Sequence, residues 1–117
     1  MIEKLQARLV GGSQSNEGRV EIFYNNAWGS VCSYSWEWDI REANVVCKML
    51  GYSFAIRAWG AGQFGEGNGT TSVYIPQCIG TESNITECSQ SGWGISCSSS
   101  MYRDFGAECT SEIDLSS

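Results

Sequence analysis

The stretch Trp38-Asp-Ile-Arg-Glu-Ala-Asn-Val-Val-Cys-Lys-Met-Leu-Gly51 is the only segment of the chain that reads clearly as a helix, and it decides the fold. Asp39 is suited to the N-cap, because its carboxylate can accept from the unpaired N–H groups of the first turn. Glu42 stands three residues on, where it can reach back and complete a capping box. Ile40, Ala43, Val46/Cys47 and Leu50 then recur at the spacing of one helical face. Lys48 complements the dipole in the last turn, and Gly51 suits the left-handed position beyond it. A helix over about 39–51 follows, with Cys47 on its buried face.

Around this helix the chain is short and cysteine-rich. Its 117 residues fit one domain, and six cysteines, fourteen glycines and a single proline point to a loop-rich, stapled unit. An even cysteine count in a small chain implies disulfides and an oxidising compartment. A zinc module is disfavoured, because the chain has no histidine and no Cys-x-x-Cys pair. Asn68-Gly-Thr and Asn84-Ile-Thr are N-glycosylation sequons, which agrees with a secretory route. Met1 to Gln6 lacks the apolar run of a signal peptide, and no stretch is long and apolar enough to enter a membrane. The expectation is an excised domain or mature form without direct membrane insertion.

The net charge of −6 argues against nucleic acid as a partner, since phosphate binding needs a basic footprint. Enzymatic chemistry also has little support. Without histidine there is no Ser-His or Cys-His pair, and the cysteines are better used as disulfides than as nucleophiles. Gly60-Ala-Gly-Gln-Phe-Gly65 matches the dinucleotide fingerprint literally, but Glu66-Gly-Asn-Gly69 follows where a helix would have to begin. It reads as a glycine loop beside a strand.

Strands are expected at Ala7 to Val10, Arg19 to Tyr24, Ala27 to Cys32, Ala55 to Trp59 and Thr71 to Ile75, with Phe105 to Cys109 as a closing edge strand. Val20, Ile22 and Tyr24 share one face, and Asn25-Asn26 supplies a two-residue hairpin turn. Residues 1–7 read as a loose leader, 8–109 as a single domain and 110–117 as a loose tail. One helix and several short strands make an α+β domain, a curved, mostly antiparallel sheet cradling the helix.

Several ordered motifs resemble the scavenger receptor cysteine-rich (SRCR) domain. They are Arg8-Leu-Val-Gly-Gly12, Glu17-Gly-Arg-Val-Glu-Ile22, Trp28-Gly-Ser-Val-Cys32, Ala43-Asn-Val-Val-Cys47 with Leu50-Gly51-Tyr52, Phe64-Gly-Glu-Gly-Asn-Gly69, Cys78-Ile-Gly-Thr-Glu82, Gly92-Trp-Gly94 and Asp104-Phe-Gly-Ala-Glu-Cys109. The six-cysteine pattern resembles group A; the positions of the extra group B pair hold Glu17 and Tyr52. The resemblance implies bridges Cys32–Cys97, Cys47–Cys109 and Cys78–Cys88, the last also favoured as a short local loop. It further implies an extracellular, non-catalytic recognition module, secreted or in a receptor ectodomain, acting in scavenging, innate recognition of microbial surfaces or adhesion. An accessory domain that positions a neighbouring protease or oxidase is the alternative. The oligomeric state stays open.

Many relatives bind Ca²⁺ or Mg²⁺ through an Asp-Asp pair after the first cysteine and a glutamate after the third. Here Ser33-Tyr34 follow Cys32, a further acidic pair is replaced by Tyr74-Ile75, and Glu82 matches the glutamate. Glu37, Asp39, Glu82 and Asp104 are the carboxylates that could still serve a cation, so no cofactor is firmly implied. Asp39 has a capping role, and Asp104 has Arg103 and Arg41 as candidate partners. In place of the acidic pair stands an aromatic run. Tyr34 and Trp36, joined by Trp59 and Tyr102, are the candidate ligand-binding patch, because aromatic rings are enriched at interface hot spots. Trp36 or Trp38 could instead fold back over the helix N-terminus as core. Net acidity and the missing pair favour a protein ligand over a polyanionic one.

Overall fold

The computed structural model describes residues 5–67, 72–88, 93–95 and 97–111. Among the described residues, seven strands and one helix follow in the order β1 (Gln6–Gly11), β2 (Glu17–Tyr24), β3 (Ala27–Ser33), α1 (Ile40–Met49), β4 (Phe54–Trp59), β5 (Ser72–Tyr74), β6 (Tyr102–Arg103) and β7 (Gly106–Thr110). A short 3-10 turn covers Ile85–Glu87. The sheet runs β4-β7-β2-β3-β5, with β1 added on β2 and β6 on β3. All pairings are antiparallel except β3 with β5, so the sheet is mixed.

The hairpin β2–β3 forms because Asn25 and Asn26 both adopt positive φ, +52° and +66°, which matches the twist of the flanking strands. The helix begins as its sequence dictates. Asp39 caps it through Arg41 N–H, and Glu42 closes the capping box on the Asp39 N–H. Leu50 is the C-cap and Gly51 takes φ +91° beyond it. The buried face is Glu42, Ala43, Val45, Val46 and Cys47; Ile40 lies off it, 45% exposed. The buried face therefore starts at Glu42 rather than Ile40, with a carboxylate at its head.

The core lies between α1 and the sheet, where Val20, Ile22, Val31, Val73, Ile75 and Ala107 meet Ala43, Val45 and Val46. All six cysteines are bridged, as Cys32–Cys97, Cys47–Cys109 and Cys78–Cys88. The two long bridges span 65 and 62 residues. In the chain-entropy view each contributes about 4 kcal/mol, which suits a domain this small.

Three expectations need correction. The Phe105 to Cys109 region does not make an edge strand: β7 lies inside the sheet, bonded to β2 on one side and β4 on the other. Phe64 covers β7 at Gly106, where an added Cβ would meet its ring at 2.7 Å. Gln6 and Ala7, expected in a loose leader, belong to β1 and pair with Phe23 and Ile22. Thr110 belongs to β7 rather than the tail.

The true edge, β4, is blunted. The Asn44 side chain accepts the Ala55 N–H at 2.9 Å, and a bulge interrupts the register between Ala55 and Arg57.

The second face of β2 also holds more than the alternation showed. Arg19 and Glu21 are buried there, 3.0 Å apart, and Arg8 joins Glu21 at 2.6 Å. Arg19 also donates to the Phe64 and Gly65 carbonyls, so a buried ion pair pins the glycine loop against the sheet.

Candidate functional site

Ser33 to Trp38 joins the end of β3 to the start of α1, and Glu37 organises it. Its Oε1 accepts from Ser33 Oγ at 3.2 Å and from Tyr34 N–H at 3.3 Å, while Oε2 accepts from Tyr74 Oη at 2.9 Å. Burial, and then the Glu37 carboxylate, push the Tyr74 phenol up to about 12. Ser33 Oγ also lies 2.9 Å from the Ile75 carbonyl, so its single hydrogen is shared between that carbonyl and Glu37 Oε1. This network leaves Tyr34 and Trp36 stacked on each other, with ring centroids 4.7 Å apart and planes 7° apart. Trp36 is 67% exposed.

Trp38, two residues on, behaves in the opposite way. It is buried, stacks on Phe105 and donates from Nε1 to the Gly106 carbonyl at 3.1 Å. The core reading is therefore correct for Trp38.

Trp59 and Tyr102 arrive from different elements. Trp59 ends β4 opposite Gly106, and Tyr102 begins β6 opposite Ser33. Both line one open hollow of about 390 Å³, whose other walls include Trp38, Phe105 and Ser35. Ser35 lies between Tyr34 and Trp36, so the hollow adjoins the exposed stack. Trp59 is held by Phe64, edge-on at 5.7 Å, and by the Arg57 guanidinium 4.9 Å from its centroid. Among the described residues, its buried Nε1–H has no acceptor. Tyr102 is 58% exposed. Trp59 and Tyr102 thus share a hollow with Ser35, the residue between Tyr34 and Trp36.

The four carboxylates do not gather in that way. Glu37 serves the turn. Asp39 caps α1, and its salt bridge with Arg41 at 2.6 Å holds its carboxyl down at about 2. Burial alone would raise Glu82, but the N–H groups of Ile79, Gly80 and Thr81 hold it below its ordinary value. Asp104, at φ +64°, accepts from Gly67 N–H at 3.2 Å. Arg41, one candidate partner for Asp104, pairs with Asp39 instead. Among the described residues, the group of three possible ligand side chains within 4.8 Å is Cys78, Glu82 and Cys88, and its two cysteines are bonded to each other.

Of the sequons, Asn68 lies outside the described residues. Asn84 is described, and its side chain is buried. Sequence reasoning missed Glu37 as the organiser of the turn and Arg19 as the anchor of the glycine loop. A glutamate four residues after Ser33, and an arginine on the face of β2 opposite Val20 and Ile22, were the available signals.

The scavenger receptor cysteine-rich domain family matches residues 10–110. The chain belongs to this family. Among curated SRCR-containing proteins, it is 44% identical over 105 residues to galectin-3-binding protein of Mesocricetus auratus, covering 90% of this chain and 18% of that one. It is 45% identical over 105 residues to macrophage scavenger receptor types I and II of Mus musculus, covering 89% and 22%. The chain thus spans about a fifth of these relatives. Among solved SRCR domains, the third of murine neurotrypsin superposes with TM-score 0.69 at 35% identity, covering 94% of this chain and 99% of that one. The domain of mouse MARCO, in a dimeric form, superposes with TM-score 0.61 at 38% identity, covering 88% and 93%. SRCR domains occur in secreted proteins and receptor ectodomains, in keeping with three disulfides here. No helix among the described residues is long and apolar enough to cross a membrane.

Proposed function

We propose that this SRCR domain is a non-catalytic, extracellular recognition module that binds a protein partner through the aromatic surface at the entrance to α1. The observation that carries this reading is the convergence of Trp59 and Tyr102 on one hollow beside the exposed Tyr34–Trp36 stack. Planar, rigid rings give large contact area at low entropy cost, and a hollow with an aromatic floor suits an apolar or aromatic anchor side chain.

A protein is favoured over a polyanion on charge. Arg8 and Arg19 both pair with Glu21, Arg41 pairs with Asp39 and Arg57 lies on Trp59, so four of the seven cations are already engaged. The four candidate carboxylates Glu37, Asp39, Glu82 and Asp104 already serve backbone or side-chain donors, with which a cation would have to compete. Binding is therefore proposed not to require Ca²⁺ or Mg²⁺.

The test is a protein and glycan array probed with the wild type and with Trp36→Ala, with and without EDTA. The reading expects protein hits that weaken in Trp36→Ala and ignore EDTA. Hits confined to sulfated or other polyanionic glycans, or lost in EDTA, would overturn it.

A further inference from the structure

Asn84 opens an Asn-Ile-Thr sequon, yet its side chain is committed elsewhere. It is 4% exposed. Its Oδ1 accepts from the Thr86 N–H at 3.2 Å and the Thr86 hydroxyl at 3.1 Å, which caps the 3-10 turn Ile85–Glu87. The same amide faces the backbone of Leu5. The Leu5 N–H donates to Oδ1 at 3.4 Å, and Asn84 Nδ2 donates to the Leu5 carbonyl at 3.0 Å. The side chain thereby acts as one more bridge, closing residue 84 onto residue 5 just before β1 begins. Leu5 itself packs against the core.

We propose that Asn84 serves the folded domain as a clamp on the incoming chain at Leu5, and that it carries no N-linked glycan there. The two uses compete for one hydrogen. Because a single residue, Leu5, meets both Oδ1 and Nδ2, the hydrogen it accepts is the one on the Oδ1 side of the planar amide. An N-linked sugar occupies that same side, since secondary amides keep their substituent trans to the chain, the alternative being disfavoured by about two orders of magnitude in population. Burial leaves the sugar no path to solvent that preserves the Leu5 contact.

The experiment secretes the full chain from a glycosylating eukaryotic host. Glycan is released enzymatically in heavy-oxygen water, so that any occupied asparagine becomes a labelled aspartate, read by mass spectrometry. Amide hydrogen exchange is followed at Leu5 in the wild type, Asn84→Ala and Thr86→Val, with Ile22 as the reference for an intact sheet. The clamp predicts no label at Asn84. It also predicts that Leu5 exchanges about 5- to 10-fold faster in Asn84→Ala with Ile22 unchanged, as for loss of one or two hydrogen bonds. Thr86→Val destroys the sequon but keeps the amide, and should retain the wild-type Leu5 rate. A label at Asn84 in the folded, secreted protein would overturn the proposal. So would an unchanged Leu5 rate in Asn84→Ala.

Discussion

Glu42 ties the N-terminus of α1 to the Cys78–Cys88 loop: Oε1 accepts the Asp39 N–H at 2.8 Å, and Oε2 accepts the Cys78 N–H at 2.7 Å. The side chain is fully buried. Burial pushes the Glu42 carboxyl up to about 7, against the pull of the two N–H groups.

That placement gives Glu42 and Asp39 opposite linkage to pH. The Glu42 pKa is raised above its ordinary 4.5, so between about 4.5 and 7 the folded state holds a proton the unfolded chain has released. Stability from this group is full below that window and falls as pH rises through it, by an amount on the order of 3 kcal/mol. Glu42→Gln should flatten this slope in urea midpoints taken across the window, while costing about 1–3 kcal/mol by leaving one N–H facing a donor. An unaltered slope would count against the assignment.

Asp39 runs the other way. Its carboxyl is held at about 2, below the ordinary 3.8, first by the Arg41 hydrogen bond. Its contribution is present above 3.8 and is lost as pH falls toward 2. Because Asp39 is largely solvated, the loss is under about 1 kcal/mol. Asp39→Asn, which keeps a capping oxygen, should shift the acid transition only slightly.

The tryptophans at the entrance to α1 should separate binding from stability. Trp36→Ala removes an exposed ring stacked on Tyr34, so thermal unfolding should move by no more than about 2 °C while ligand binding weakens. Trp38→Ala removes a buried ring and an Nε1 hydrogen bond, costing about 3–5 kcal/mol. Equal thermal shifts in the two variants would refute the division of roles.

The glycine loop has its own control. Arg19→Ala frees the Phe64 and Gly65 carbonyls and leaves Glu21 with the half-exposed Arg8 alone. Breaking such a buried pair costs about 3–5 kcal/mol. Phe64 holds Trp59 edge-on, so the loop should loosen and tryptophan fluorescence should shift to the red as Trp59 meets water.

Much of this was legible in the residues, and the failures have identifiable causes. The Asp39/Glu42 box, the Asn25-Asn26 turn and the alternation of Val20 and Ile22 are local signals, and each produced its element. What escaped depends on long-range pairing. Gly106 to Thr110 reads the same whether it is an edge or a centre; β4 and β2 decide, and neither adjoins it in sequence. Ile40 fitted a helical stripe but points away from the sheet, since the first buried turn goes to Glu42. The aromatic residues were identifiable by type, but only the register of Tyr102 with Ser33 and of Trp59 with Gly106 brings them together.

The interior position of β7 constrains how the domain matures as it emerges from the ribosome. The β1–β2–β3 meander and α1 are complete well before residue 106 is synthesised, yet β2 and β4 must each wait for the same late strand to fill the space between them. Cys32 and Cys47 stay without their partners until Cys97 and Cys109 have entered the secretory lumen, whereas Cys78 and Cys88, ten residues apart, can close early. Oxidation should therefore proceed from the small loop to the two long bridges. A chain stalled before residue 106 would present free thiols and two unfilled sheet edges, the features that quality control retains.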